Sequence, residues 1–117
     1  MKEGSIVLTN VLQADGKFKI RPALLLRYMP PFNDCLVCGI STQLHHQVKS
    51  FDEIAYPHKT EFMNSGLKQV SLIRLGFLAV IPTLAIIGTI GNISEQLRQD
   101  LLGRLAEYLI LQKKQVL

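Results

Sequence analysis

The sequence predicts a mainly β fold with one C-terminal helix: a small, strongly bent antiparallel barrel. Three observations predict it. Short runs rich in Val, Ile and Leu recur along most of the chain, separated by clusters of Gly, Pro, Asn and Asp. A three-to-four-residue apolar period appears near the end, at Leu97, Leu101, Leu105, Tyr108 and Leu109. The chain has 117 residues and is 48% hydrophobic, which suits one packed domain and is too apolar for disorder. The expected division is a barrel over about 4–91 and a helix over about 93–114.

Each element has its own signature. Ser5–Val11 is β-rich and forms a first strand, and Gln13-Ala14-Asp15-Gly16-Lys17 is a turn. Arg21–Met29 is a second strand, ended by Pro30-Pro31-Phe32-Asn33, since two prolines cannot serve a central ladder. Asp34–Thr42 is a third. Its faces, Cys35-Val37-Gly39 and Leu36-Cys38-Ile40, are both apolar, as in a strand buried on two sides. Gln43–Ser65 is the least regular part; it holds His45, His46, His58, Asp52, Glu53 and Glu61, with a brief strand at Phe51–Ile54. Lys68–Leu75 is a strand in which Arg74 alternates with Val70 and Leu72, so a cation shares a face with apolar residues. Phe77–Ile81 and Leu84–Ile90 follow, parted by a turn at Pro82-Thr83. Asn92 or Ser94 N-caps the helix, with Glu95 three after Asn92 as a capping box requires. Arg98, Asp100, Arg104 and Glu107 fall largely off its apolar stripe, and Lys113 and Lys114 close the last turn, where they suit the macrodipole.

Bulk properties narrow the function classes. A net charge of +4 favours a polyanionic partner only slightly. The apolar run after Lys2-Glu3-Gly4 is too short for a secretory leader, and two cysteines make no disulfide framework, so a reducing cytoplasm is expected. Leu75–Ser94 carries no charge and is long enough to span a bilayer. Pro82, Gly76, Gly88 and Gly91 break it into strands, and no membrane association is expected. Cys35 and Cys38 form a C-x-x-C, but inside a strand such residues point to opposite faces, and a zinc site would need two further ligands. They read as core residues, and no metal or cofactor is expected.

Arg21-Pro22 opens one apolar run, and Ile40-Ser41-Thr42-Gln43 ends the next. Neighbouring strands usually pair, which brings Arg21 and Ser41 toward one rim. A guanidinium beside a hydroxyl suits a phosphodiester, because the fork matches two phosphate oxygens. The competing reading of Arg21 is a strand-edge ion pair to Glu53 or Asp15. That of Ser41 is a hydroxyl capping backbone, and that of Arg74 a snorkelling rim residue. His45 and His46 follow the third strand closely enough to serve as a base, though loops collect histidines without chemistry. Phe18, Phe32, Phe51 and Tyr56, at predicted loops, can stack on bases or plug the barrel ends.

In these pieces the chain resembles the MazF/PemK toxins of bacterial toxin–antitoxin pairs. The matching segments are Gly4-Ser5-Ile6-Val7, Arg21-Pro22-Ala23-Leu24, Gly39-Ile40-Ser41-Thr42-Gln43, Val70-Ser71-Leu72-Ile73-Arg74 and Ile87-Gly88-Thr89-Ile90-Gly91-Asn92-Ile93-Ser94, in the family's order. The resemblance implies a Src-homology-three-like barrel, a homodimer, a cognate antitoxin, and metal-independent cleavage of single-stranded RNA. It assigns the active site to Arg21 and Ser41, with Arg74 contributing in some members; substrate contacts are expected from Pro22, Thr42, Gln43 and Arg74. Two departures stand out: Gly76 occupies a position where some relatives have an acid, and Asn10–Ile20 lacks the histidine some carry. The expected chemistry is attack by the RNA's own 2′-hydroxyl, with Arg21 steadying the charge on phosphorus and Ser41 holding the geometry. Arg21 is also the candidate donor to the leaving oxygen, although an arginine normally keeps its proton, and Arg74 or Thr42 adds a second phosphate contact. The alternatives are a weakened relative that binds a partner or nucleic acid without cutting, and a gyrase-directed toxin of the same barrel type.

Overall fold

Six strands and two helices form among residues 1–111, those that the structure, a computed structural model, describes. The strands are β1 (Ser5–Leu12), β2 (Phe18–Met29), β3 (Asp34–Ser41), β4 (Glu53–Ala55), β5 (Ser71–Ile81) and β6 (Ile86–Asn92). The helices are α1 (Thr60–Ser65) and α2 (Glu95–Leu109). Pairing is antiparallel throughout, in the order β4-β5-β3-β2-β1-β6.

The sheet bends at irregularities in its β1–β6, β2–β3 and β3–β5 ladders, and its central strands are apolar on both faces. On the inner face Ile6, Leu24, Leu26, Cys38, Ile40, Ile73 and Leu75 pack with Ile93, Leu101 and Leu105 from the region of α2. On the outer face Val7, Ala23, Leu25, Cys35 and Val37 form a second cluster, covered in part by Tyr28, Ile81 and Ile86. The two-sided reading of the third strand is thus borne out, with Cys35 and Cys38 in different clusters. Leu101 is fully buried and Leu105 nearly so, about 2 kcal/mol each by area.

Helix α1 follows β4 in the chain and packs against the edge strand β6. Its C-terminal end lies so close to β6 that a Cβ on Gly91 would collide with the backbone of Asn64 and Ser65. Gly66 ends α1 with φ +75°, a left-handed conformation that other residues rarely adopt. Glu61 accepts hydrogen bonds from the backbone N–H and the hydroxyl of Ser94, tying α1 to the start of α2.

Several sequence expectations are corrected. The second strand begins at Phe18, not Arg21, because the β1–β2 hairpin keeps pairing out to Leu12–Phe18. Lys68–Leu75 and Phe77–Ile81 are not separate strands; from Ser71 to Ile81 they are one bent strand. Leu84–Ile90 is shifted to Ile86–Asn92 behind a 3-10 turn at Thr83–Ala85, and the brief strand at Phe51–Ile54 runs from Glu53 to Ala55. Helix α1 falls in a region read as irregular.

Helix α2 is capped by Ser94, whose Oγ accepts from Leu97 N at 3.1 Å, while Asn92 belongs to β6. The helix ends at Leu109, and its stripe fails at the last turn, where Tyr108 and Leu109 are exposed. Lys113 and Lys114 lie outside the described residues. Arg98, expected off the stripe, is 5% exposed. It donates to Leu26 O at 2.9 Å, pairs with Glu95 at 2.5 Å and approaches Glu3 at 3.6 Å. The uncharged stretch Leu75–Ser94 is sheet, and no helix among the described residues is long and apolar enough to cross a membrane.

Candidate functional site

Strand register decides which candidate side chains share a face. Val7 pairs with Ala23, Ala23 with Gly39 and Gly39 with Arg74, so one cross-strand row on the outer face ends in Arg74. Alternation by two puts Arg21 and Ser41 on that same face, one row nearer the rim. Thr9 pairs with Arg21 and Ser41 with Leu72, and they flank this second row. Continuing the β2–β3 register would set Arg21 opposite Ser41, but the ladder stops at Ala23–Gly39. Pro22, one residue beyond, has no N–H to offer either neighbour, which suits the end of a ladder. β2 and β3 therefore open between the two candidate residues.

Arg21 is exposed, and among the described residues it has no carboxylate within ion-pair distance. The proposed partners are engaged elsewhere. Glu53 pairs with Arg104 at 3.0 Å, and Asp15 accepts from Lys17 N at 2.9 Å. The ion-pair reading of Arg21 is thereby overturned. Ser41 is half-buried, and its Oγ accepts from Gln43 N at 3.0 Å. That bond fixes the turn after β3 and leaves the hydroxyl proton free to donate. Thr42 and Gln43 are exposed; Thr42 O accepts from Leu44 N, starting a 3-10 turn over Leu44–His46. His45 and His46 sit exposed on that turn, their rings 4.3 Å apart.

Arg74 owes its setting to a bulge that the sequence did not reveal. Gly39 pairs with Arg74 but Cys38 with Leu78, so Leu75, Gly76 and Phe77 are extra on β5. Phe77 folds back over Gly39, where any Cβ would collide with its ring. The Arg74 guanidinium stands 5.3 Å from that ring's centroid, a cation–π contact. Just before β4, Asp52 holds the first of these extra residues: its Oδ1 accepts from Leu75 N at 2.9 Å and its Oδ2 from Val48 N at 2.8 Å. Asp52 is 6% exposed. The readable signal was a carboxylate beside Phe51 and Ile54 in a segment needing burial. Asp52→Ala is expected to cost about 2–4 kcal/mol, since two amides lose their acceptor in a largely dry place. Urea unfolding would check this, with a Leu75 amide that exchanges faster in the variant.

Of the remaining candidates, Phe18, Phe32 and Phe51 lie away from this site, while Tyr56 follows β4 two residues after Ile54, which pairs with Leu72 in the row of Ser41. Phe18 lies on the opposite face of the hairpin from Arg21, by alternation along β2. Phe32 follows the far end of β2, roughly 26 Å away at about 3.3 Å per residue. Phe51 packs against Tyr108 with ring centroids 5.1 Å apart and joins the inner core, so it is a plug. Tyr56 stacks on His58. Cys35 and Cys38 are free and buried; burial, then the Asp52 charge, pushes the Cys38 thiol up to about 12, so it stays protonated. A groove of about 650 Å³ between Phe51, Gly76, Leu78, Arg104 and Tyr108 adjoins the bulge but contains neither Arg21 nor Ser41. The candidate residues Arg21, Thr42 and Gln43 are exposed along the rim of the sheet, where a strand-like polymer can lie.

Comparison with protein-family models and with curated proteins finds no match to this chain.

Proposed function

We propose that the chain is a metal-independent endoribonuclease that cuts single-stranded RNA, acting in the cytoplasm as the toxin of a toxin–antitoxin pair. The observation that carries the reading is geometric. Arg21, Ser41 and Arg74 come from three neighbouring strands onto one face, around the point where the β2–β3 ladder opens, and among the described residues no carboxylate lies within ion-pair distance of Arg21. The resemblance of the Arg21-Pro22 and Ile40-Ser41-Thr42-Gln43 segments supports it independently, and brings with it a homodimer and an antitoxin covering the rim.

In this reading the 2′-hydroxyl of one nucleotide attacks the adjacent phosphorus. The 2′-oxygen–phosphorus bond forms, the phosphorus–5′-oxygen bond breaks, a proton passes from the 2′-oxygen to a base, and a water molecule supplies the proton that the departing 5′-oxygen takes up. Arg21 holds the charge that builds on the phosphoryl oxygens, where its two parallel N–H groups match the geometry. Ser41 donates to one of those oxygens through its free proton, and Arg74 grips a neighbouring phosphate. Pro22, Thr42 and Gln43 line the path of the RNA. His45 or His46 takes the 2′-proton, a task that suits an imidazole near neutrality.

A second reading, binding without cleavage, is favoured by Gly76, which puts no acid where some relatives carry one. Analysis of fragment ends separates the mechanisms. The reading expects 2′,3′-cyclic phosphate and 5′-hydroxyl termini. Fragments with 5′-phosphate ends would rule out attack by the 2′-hydroxyl, and RNA bound intact would favour the second reading.

A further inference from the structure

We propose that Phe77 is the stacking platform for a nucleobase beside the cleaved phosphate, an inference that rests on the ribonuclease reading above. The ring is held on the outer face, the face that carries Arg21, Ser41 and Arg74. It is 50% exposed although it belongs to a strand. Burial alone would favour turning so large an apolar group inward, since each exposed Å² of apolar surface carries a cost. Instead the ring is presented outward by a three-residue bulge, whose first residue, Leu75, is held by the buried carboxylate of Asp52.

The seat is specific. Gly39, which any side chain would fill, lets the ring lie against the backbone of β3. Arg74 stands beside it at 5.3 Å, so one nucleotide can lay its base on the ring and its phosphate on the fork. Tyr28 shares the outer face but lies seven residues beyond Arg21 along β2, roughly 23 Å away. Phe18, Phe32 and Phe51 are elsewhere, as described. Tyr56, two residues past Ile54 in the row of Ser41, is already stacked on His58; Phe77 is the aromatic group seated on Gly39 beside Arg74, next to the Arg21–Ser41 opening. Asp52, which touches no substrate, acts as the positioning residue for the bulge.

The test uses a short RNA spanning a wild-type cleavage position, made uncleavable by a 2′-O-methyl group at the attacked site. Abasic nucleotides are placed in turn at each flanking position. In the wild type one position adjacent to the cut is expected to weaken binding about ten- to a hundredfold when its base is removed, the range of one base–aromatic stack. In Phe77→Leu, which fills the Gly39 seat without a π face, that penalty is expected to shrink to within about twofold, while Phe77→Trp keeps it. A full abasic penalty retained in Phe77→Leu overturns the proposal. So does a wild type that cuts RNA yet is indifferent to every abasic position; this leaves the ribonuclease reading intact. A wild type that neither cuts nor binds RNA overturns both, and circular dichroism on each variant excludes misfolding as the cause.

Discussion

Arg21→Ala is expected to lower the cleavage rate of single-stranded RNA by about 10²–10³-fold, the usual loss when one preorganised donor to a developing oxyanion is removed. The thermal midpoint should stay within about 1 °C of the wild type, because Arg21 is exposed and has no side-chain partner among the described residues. The loss should fall on kcat more than on KM, since the charge that Arg21 meets grows only as the 2′-oxygen attacks. Arg21→Lys restores charge but not the fork, and should recover only part of the rate. Single-turnover cleavage of one defined RNA by the three proteins measures all of this. A variant equal to wild type in rate would remove Arg21 from the mechanism.

Arg98→Ala is expected to do the opposite, leaving the rim chemically complete and weakening the fold. The guanidinium is buried and donates to Leu26 O across 72 residues of chain, joining α2 to the central strand β2. A hydrogen bond to a charged group, lost with its buried carbonyl left unpaired, costs about 2–3 kcal/mol. The contacts with Glu95 add little, because that carboxylate is exposed. For a domain of this size the midpoint should fall by about 10 °C. A small pH signature reports the Glu95 contact alone. Hydrogen bonds from Arg98, then from Gln99, hold the Glu95 carboxyl down to about 2 from an ordinary 4.5. A carboxyl depressed in the folded state stabilises above its unfolded pKa and loses that contribution as pH falls through the folded one. The gap between wild type and Arg98→Ala should thus narrow slightly between about pH 4.5 and 2. Thermal unfolding across that range checks both statements.

What could be read from the sequence followed the reach of each interaction. Local signals worked: alternation located the strands, Pro30-Pro31 stopped β2, and Ser94 stood among the cap candidates. The two-faced burial of β3 was legible because period-two alternation sorts its residues between faces whatever lies beyond them. Features set by partners distant in sequence were not legible. Arg98 looks like a solvated helix residue until Leu26 O appears beneath it. The bulge at Leu75-Gly76-Phe77 depends on Gly39 and Asp52, which lie 36 or more and 23 or more positions away, so the segment read as a break between two strands. In the candidate site, the shared face of Arg21, Ser41 and Arg74 was foreseeable only in part. Neighbouring strands were expected to bring Arg21 and Ser41 together, whereas Arg74 reaches them because β5 pairs with β3 across the gap in sequence.

The most direct test of the central claim is incubation of the pure protein with a long single-stranded RNA in excess EDTA, beside Arg21→Ala and with DNA gyrase supercoiling as a parallel assay. The account predicts discrete cuts by the wild type alone, at a recurring short sequence, with gyrase unaffected. Intact RNA from a folded wild type, or cutting that Arg21→Ala performs equally well, would contradict it.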